Sequence, residues 1–90
     1  MDFIKEENRI FNADPDGKLL AEVTFPEISE NTVNINHTFV DDSLRGQGIA
    51  GELMKAVAEE LRKSGIKAVL SCSYAVSWFQ KHEEYKDVLK

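Results

Sequence analysis

The chain has 90 residues, of which 42% are hydrophobic, and a formal net charge of −5 at pH 7. Its length predicts one domain over residues 1–90, and its basic residues, scattered among acidic ones, exclude the basic stripe typical of nucleic-acid-binding proteins. The apolar runs are too short to span a membrane and the acidic start is unlike a secretory leader, so we expect a soluble, cytoplasmic protein.

A β-hairpin is predicted at the start of the chain. Residues 3–11 mix apolar and charged side chains and are predicted as the first strand. Asp14-Pro15-Asp16-Gly17 follows, with a proline that presets φ and a glycine that accepts positive φ, as a tight reversal requires. Apolar and polar residues then alternate over residues 19–25, which predicts a second strand that ends at Pro26.

A third strand is predicted after a polar connection at residues 27–31. Because alternate residues of a strand face opposite sides, one face would carry Val33, Ile35, His37 and Phe39, and the other Asn34, Asn36, Thr38 and Val40. The three strands together predict an antiparallel meander.

The apolar period changes to about 3.6 residues in the second half of the chain, which predicts an amphipathic helix. The apolar residues that recur on its face are Ile49, Leu53, Val57 and Leu61. Gly65 is suited to close this helix, and Glu59 can pair with Lys63 one turn later. Residues 66–70 then predict a covered strand, and residues 75–81 a short final helix.

The segment Arg45–Gly51, with sequence RGQGIAG, places three glycines between the third strand and the helix. The first amides of a helix lack intrahelical partners and lie at the positive end of its dipole, so bare backbone there lets a phosphate approach closely. A second interpretation is a sharp turn in which the glycines only relieve strain, although one or two would suffice for that. We therefore predict a site for a phosphate-bearing ligand.

Two familiar glycine-rich motifs do not fit this segment. In a dinucleotide-binding fingerprint the glycine motif follows its strand directly, and an acidic residue lies about 20 positions later. Here residues 41–44 intervene, and no carboxylate lies around Ser71. The nucleotide P-loop requires a lysine after its last glycine, where this chain has Glu52.

Residues 38–50, TFVDDSLRGQGIA, resemble the coenzyme A signature of the GNAT N-acetyltransferase superfamily, written R/Q-x-x-G-x-G/A. Arg45, Gly48 and Ala50 fill its three defined positions, between a central strand and a long helix as in that family. Two later segments, LSCSY and WFQKHEEY, look like the closing segments of a minimal GNAT-like subgroup. The resemblance covers about residues 18–89. Compared with ordinary GNAT enzymes, the chain lacks the helices usually found between the first two strands, and it also lacks the closing strand pair.

The resemblance implies an α+β fold of the GNAT type: an antiparallel meander, a β-α-β unit with splayed central strands, and a short C-terminal helix. It implies acetyl-CoA as the cofactor, with the pantetheine arm between residues 37–40 and 68–72. The pyrophosphate would rest on the amides of Gln47, Gly48, Ala50 and Gly51. The full set of implied cofactor-binding residues is Thr38, Phe39, Val40, Arg45, Gly46, Gln47, Gly48, Ile49, Ala50 and Gly51.

Three residues are candidates for catalysis. Cys72, near the end of the splayed strand, could accept the acetyl group as a thiolate or simply line the site, and His37 could take a proton. Alternatively both are core residues, since free cysteines and strand histidines commonly serve packing. Tyr74 could protonate the departing thiolate, as a tyrosine often does in GNAT enzymes, or it could cap the strand end.

The remaining motifs are interpreted as structural. Trp78 and Phe79 are spaced to pack the last helix on the sheet. The stretch His82–Tyr85 lacks the second histidine of a zinc-binding helix, so no metal is expected. Asp41-Asp42 is interpreted as a solvated loop, and the single cysteine excludes an internal disulfide.

The sequence and the resemblance together favour an N-acetyltransferase that passes acetyl from acetyl-CoA to an amine of a small molecule or protein, directly or through Cys72. A non-catalytic acyl-CoA-binding module or sensor is the alternative, and a thiol redox sensor centred on Cys72 is a third hypothesis. We expect a monomer or weak dimer, without nucleic-acid or membrane partners.

Overall fold

Seven strands and two α-helices make up the computed structural model, which describes residues 1–90. The elements, in chain order, are β1 (Ile4–Glu6), β2 (Arg9–Ala13), β3 (Leu19–Thr24), β4 (Glu27–Ser29), β5 (Thr32–Ile35), β6 (His37–Val40), α1 (Ile49–Ser64), β7 (Lys67–Leu70) and α2 (Ser73–Lys81). Short 3₁₀ helices follow β6 at Asp42–Leu44 and α2 at Glu83–Val88.

The strands form two sheets that share one core. The first sheet has the order β1-β2-β3-β6 and is antiparallel throughout, and the second has the order β4-β5-β7. In the second sheet β5 pairs in parallel with β7. The chain passes through α1 on its way from β5 to β7, as in the predicted β-α-β unit. The α+β class with an antiparallel meander and a following β-α-β unit is therefore confirmed.

The first predicted strand is in fact two strands. Residues 3–11 are interrupted at Glu7-Asn8, so β1 folds back on β2 as a separate hairpin. Asn8 has a φ of 64°, a conformation that asparagine tolerates, and its side-chain amide donates to the carbonyl of Phe25 at 2.9 Å. Because this turn contains neither glycine nor proline, the composition alone did not indicate it.

The predicted hairpin between β2 and β3 is confirmed. The Asp14 carboxylate accepts hydrogen bonds from the amides of Asp16 and Lys18 at 3.0 and 2.9 Å. This is the local chemistry by which aspartate starts a turn. The reversal brings Ile10 of β2 opposite Val23 of β3 in the core.

The predicted third strand is also wrong as a single element, because it breaks at Asn36. The Asn36 amide donates to the Thr24 carbonyl, and its side chain accepts from the Thr24 hydroxyl at 2.6 Å. The residues before the break pair with β7, whereas those after it pair with β3. The supposed polar connection before it contains β4 and a turn with Asn31 at a φ of 57°.

The break at Asn36 reverses which residues face the core. Val33 and Ile35 are buried as predicted, but beyond the break Thr38 and Val40 lie opposite the buried Val23 and Ala21. His37 is therefore on the outer face of the sheet with an exposed side chain, not on the core face of an uninterrupted strand. Cross-strand partners share a face, so one inserted residue moves every later side chain to the other side.

Helix α1 packs its predicted apolar face across both sheets. Its fully buried residues include Leu53, Met54, Val57 and Ala58. The helix closes at Gly65, whose amide donates to the Leu61 carbonyl. Glu59 accepts a hydrogen bond from the Tyr85 hydroxyl at 3.1 Å instead of pairing with Lys63, because the C-terminal segment packs against that side of the helix.

The C-terminal elements complete the core. Helix α2 begins at Ser73, two residues before the predicted start, and Trp78 and Phe79 are buried as expected. The 3₁₀ helix that follows α2 was not predicted. It packs against α1, where the guanidinium of Arg62 contacts both Asp87 and the Tyr85 ring. No helix in the structure combines the length and apolar character that crossing a membrane would require.

Candidate functional site

The N-terminus of α1 is bare backbone. Gly48 is the N-cap residue with a φ of 73°, Gly46 before it has a φ of 83°, and no side chain caps the helix. Residues with a Cβ rarely adopt this left-handed conformation, so the approach to the helix depends on glycine at these positions. The amides of the first helical turn, which have no acceptor within the helix, thus face outwards without a side-chain partner.

The turn before the glycines is fixed by Asp41. Its carboxylate accepts from the hydroxyl and the amide of Ser43 at 2.6 and 3.1 Å, and these hydrogen bonds lower the pKa of Asp41. The Gln47 amide donates to the Leu44 carbonyl at 3.3 Å. Of the four amides expected to hold a pyrophosphate, that of Gln47 is therefore already paired within the turn.

Two open clefts meet at the start of α1. The first, of about 210 Å³, is lined by Val40, Leu44, Arg45, Gly46, Gly48, Ile49, Ala50, Gly51 and Tyr74. The second, of about 380 Å³, is lined by Gly48, Gly51, Glu52, Lys55, Trp78, His82, Glu84 and Tyr85. The two clefts share Gly48 and Gly51, so the bare helix terminus lies between them.

The first cleft brings together most residues that the sequence assigned to the cofactor. Lys55 in the second cleft was missed, although its position one turn after Gly51 puts it on the same side of the helix. A Cβ built on Gly51 would lie 3.6 Å from both the Tyr74 hydroxyl and Trp78 Nε1. Gly51 therefore leaves a small gap between two side chains that can donate hydrogen bonds.

Arg45 lies at the rim of the first cleft, in an ion pair with Asp42 at 2.6 Å. Both side chains are more than four-fifths exposed. Exposed pairs of this kind contribute little free energy, so the Arg45 guanidinium can turn towards an anion at the helix terminus at small cost.

The strands β6 and β7 part beside this terminus, as the splayed arrangement predicts. β7 pairs with β5 up to Ile35 and Leu70, and β6 pairs only with β3. Beyond the last pair, the amides of Ser71 and Cys72 both donate to the Ile35 carbonyl at 3.2 Å. The main chain of β6 is left without a partner on the side that faces β7.

Cys72 lies where the two strands diverge, at the N-cap of α2. Its sulphur is 3.5 Å from the Thr38 hydroxyl of β6. Partial burial alone would raise the pKa of the Cys72 thiol, but hydrogen bonds from the Thr38 hydroxyl and from the amides of Ala75 and Tyr74 outweigh it and lower that pKa. The helix terminus and the hydroxyl thus favour the thiolate, which is the nucleophilic form.

The other two catalytic candidates differ in their surroundings. The Tyr74 hydroxyl lies beside Gly51 at the first cleft, and burial raises the pKa of this phenol. His37 lies on the outer face of the sheet, with Nε2 3.4 Å from Glu22 Oε1. Phe39 shares that face, opposite Glu22. The structure thus places Tyr74 with the cofactor residues but puts His37 and Phe39 on the side away from the Cys72 sulphur.

The sequence matches a model of the GCN5-related N-acetyl-transferase family over residues 10–88. Protein NATD1 of Xenopus tropicalis is 32% identical over 62 residues, which make up 69% of this chain and 57% of that protein. Human NATD1 is 31% identical over 62 residues, or 69% of this chain and 55% of that protein. The chain therefore spans little more than half the length of these relatives.

Solved structures have the same architecture. A GCN5-like protein of Staphylococcus aureus superposes with a TM-score of 0.82 at 37% identity, over 99% of this chain and 87% of that one. The ribosomal-protein-S18-alanine N-acetyltransferase of Escherichia coli superposes with a TM-score of 0.64 at 19% identity, over 86% of this chain and 53% of that one, a likeness of fold alone. The chain therefore belongs to the GCN5-related N-acetyltransferase family.

Proposed function

We propose that the chain is an acetyl-CoA-dependent N-acetyltransferase that binds its acyl donor at the N-terminus of α1 and acetylates an amine. The observation that carries this proposal is the uncapped helix terminus at Gly48, which opens onto two clefts and adjoins the gap between β6 and β7. Membership of an N-acetyltransferase family supports the reaction class.

In this proposal the amides of Gly48, Ala50 and Gly51 donate to the pyrophosphate of the acyl donor. Arg45 leaves its exposed pair with Asp42 and offsets the remaining negative charge. In the second cleft, Lys55 supplies a cation for the phosphorylated nucleoside end of the same molecule.

The pantetheine arm would lie in the gap between β6 and β7, where the free main chain of β6 can hydrogen-bond to its amides. This path brings the thioester to the divergence point occupied by Thr38 and Cys72. The proposed contacts therefore run from Lys55, across the helix terminus, to the Cys72 thiol.

Two routes of transfer are open to this arrangement. In the direct route, the amine attacks the thioester carbonyl and Tyr74, whose raised pKa keeps its phenol protonated, gives a proton to the departing sulphur. In the second route, the Cys72 thiolate accepts the acetyl group first and the amine then attacks the cysteine thioester. Mass spectrometry of the protein after brief exposure to acetyl-CoA distinguishes the routes, since only the second leaves acetyl on Cys72.

The first test is the thermal midpoint of unfolding with and without acetyl-CoA. A ligand that binds only the native state at about 100 times its Kd stabilises that state by about 2.7 kcal/mol. For a domain of this size that free energy corresponds to a rise of roughly 10–20 °C. An unchanged midpoint at millimolar acetyl-CoA would contradict the proposal.

The second test is release of the coenzyme A thiol in the presence of amines, including small amines and peptides with a free N-terminus. Amine-dependent release supports the transferase. The alternative is a non-catalytic acyl-CoA-binding module, which is favoured by the position of His37 on the face away from Cys72. Tight binding without thiol release for every amine class would support this alternative.

A further inference from the structure

The single tryptophan of the chain, Trp78 of α2, has a hydrogen-bond donor without an acceptor in the protein. Its side chain is only 7% exposed, yet the indole Nε1–H donates to no side-chain or main-chain oxygen. Because every fully buried polar side-chain atom has a partner, Nε1 reaches the surface of the second cleft, which Trp78 lines. A buried indole usually donates to a partner, so this N–H is an exception that points to a ligand.

The free N–H lies beside the N-terminus of α1. Trp78 Nε1 is 3.6 Å from the position that a Cβ on Gly51 would occupy. Since the Cα–Cβ direction in a helix is tilted towards its N-terminus, this position is on the side of the first-turn amides, which have no acceptor within the helix. An oxygen that accepts from the amide of Gly51 therefore lies next to the indole as well.

Three neighbouring rings fix the orientation of the indole. The His82 ring is stacked on it, with 3.9 Å between centroids and 12° between planes, and Phe79 packs edge-to-face at 5.0 Å. The Tyr85 ring lies 5.6 Å away. His82 Nδ1 is also 2.7 Å from the Trp78 carbonyl, which ties the stacked imidazole to the same helix. A donor held in this way loses little conformational entropy when it binds an acceptor.

The surroundings of the N–H favour an anionic acceptor. An indole N–H only donates, so its partner must supply a lone pair. The positive end of the α1 dipole and the Lys55 ammonium are at the same cleft, and both attract negative charge. The two carboxylates of the cleft, Glu52 and Glu84, are exposed, so hydration and salt weaken their repulsion. A phosphate oxygen fits these conditions.

We propose that Trp78 is a binding residue for the acyl donor: its indole N–H donates to a pyrophosphate oxygen that the first-turn amides of α1 also hold. The assignment rests on the proposed function. It adds a buried side-chain donor to a site that otherwise consists of main-chain amides and exposed cations. Trp78 therefore has two roles, because the same ring packs α2 against the core and recognises the phosphate.

The first test uses the fact that the chain has one tryptophan, which gives one indole signal in a ¹H–¹⁵N correlation spectrum. Titration with acetyl-CoA should move the indole proton downfield and slow its exchange with water, as a new charge-assisted hydrogen bond requires. Inorganic pyrophosphate should move the signal in the same direction. Acetyl-pantetheine, which has the thioester arm without the pyrophosphate and the nucleotide, should leave it in place. An equal shift with acetyl-pantetheine would overturn the proposal.

The second test removes the N–H and keeps the shape of the ring. Incorporation of benzothienylalanine, in which sulphur replaces the indole N–H, changes only Trp78 because no other tryptophan is present. The Kd for acetyl-CoA should rise by about tenfold or more, whereas the Kd for acetyl-pantetheine should stay within about twofold. Trp78→Phe should show the same contrast, and the isostere keeps the test valid if that variant does not fold.

The matched control is Phe79→Leu. Phe79 is the next residue of α2, is 4% exposed and lines neither cleft at the start of α1. Its truncation should lower the thermal midpoint through lost packing, yet keep the Kd for acetyl-CoA within about twofold of the native value. A rise in Kd as large as that of the isostere would mean that packing of α2, and not the N–H of Trp78, controls the affinity.

The outcomes separate this assignment from the proposed function. If the native protein does not bind acetyl-CoA, the proposed function fails, and the titration with inorganic pyrophosphate alone decides whether Trp78 binds phosphate. If acetyl-CoA binds but the indole signal stays in place, or if the isostere keeps the native Kd, Trp78 serves packing only and the proposed function stands.

Discussion

Replacing Gly51 by alanine should stabilise the fold and weaken binding of acetyl-CoA at the same time. Gly51 lies in the first turn of α1 without a positive φ, and a Cβ there would be in ordinary contact with Tyr74 and Trp78 at 3.6 Å. Alanine is favoured over glycine in a helix by up to about 1 kcal/mol, which corresponds to a rise in midpoint of roughly 4–8 °C for a domain of this size.

The new methyl group would fill the gap between Tyr74 and Trp78 that joins the two clefts. A phosphate oxygen would then lose close contact with an amide of the helix terminus. A hydrogen bond to a charged group contributes about 1.5–3 kcal/mol, so we expect the Kd for acetyl-CoA to rise by tenfold or more. Differential scanning fluorimetry and isothermal titration calorimetry measure the two effects on the same sample.

The control is Gly65→Ala at the opposite end of α1. Gly65 has a φ of 75°, so alanine there should cost about 1–2 kcal/mol and lower the midpoint, while the affinity for acetyl-CoA stays unchanged. The reasoning would be refuted if Gly51→Ala bound acetyl-CoA as tightly as the native protein. It would also be refuted if Gly51→Ala lost stability to the same extent as Gly65→Ala.

Gly48→Glu should abolish binding of acetyl-CoA, because it puts a carboxylate at the proposed phosphate site, and calorimetry with unchanged affinity would refute this. The φ of 73° at this position should make the substitution cost about 1–2 kcal/mol of stability, but nothing lies within 4 Å of its Cβ, so the domain should stay folded. Lys55→Ala should weaken binding of acetyl-CoA several-fold but leave binding of the 3′-dephospho form nearly unchanged, and an equal loss for both would remove the assigned phosphate contact. Cys72→Ala should keep the affinity for acetyl-CoA and slow acetyl release, whereas equal turnover by both proteins would limit Cys72 to packing. Because the pKa of Cys72 is lowered in the fold, its alkylation by iodoacetamide should reach half of its maximal rate at a lower pH in the native protein than in urea.

Local chemistry in the sequence was sufficient to predict the helix and its terminus. The apolar period of α1 and the left-handed backbone at Gly46 and Gly48 both depend on residues close together in the chain. The sequence therefore indicates them directly. The turn at Asp14 was predicted for the same reason. The resemblance to the GNAT signature added the cofactor hypothesis at that terminus.

The faces of β6 depended on contacts that the sequence does not display. The alternation of residues 33–39 fits one continuous strand, and only the pairing of Asn36 with Thr24 breaks it. That single interruption moves His37 to the open face beside Glu22 and Thr38 to the Cys72 thiol. Side-chain direction in a sheet is set by register with distant strands, which no local period encodes.

The sequence by itself determined a bare helix terminus at residues 45–51, because left-handed backbone and unpartnered amides follow from glycine and helix geometry alone. The tertiary structure decided what surrounds that terminus. It brought Tyr74 and Trp78 to either side of Gly51 and set Cys72 at the point where β6 and β7 part. These contacts join residues from separate elements, so they exist only once the chain has packed its two sheets around α1.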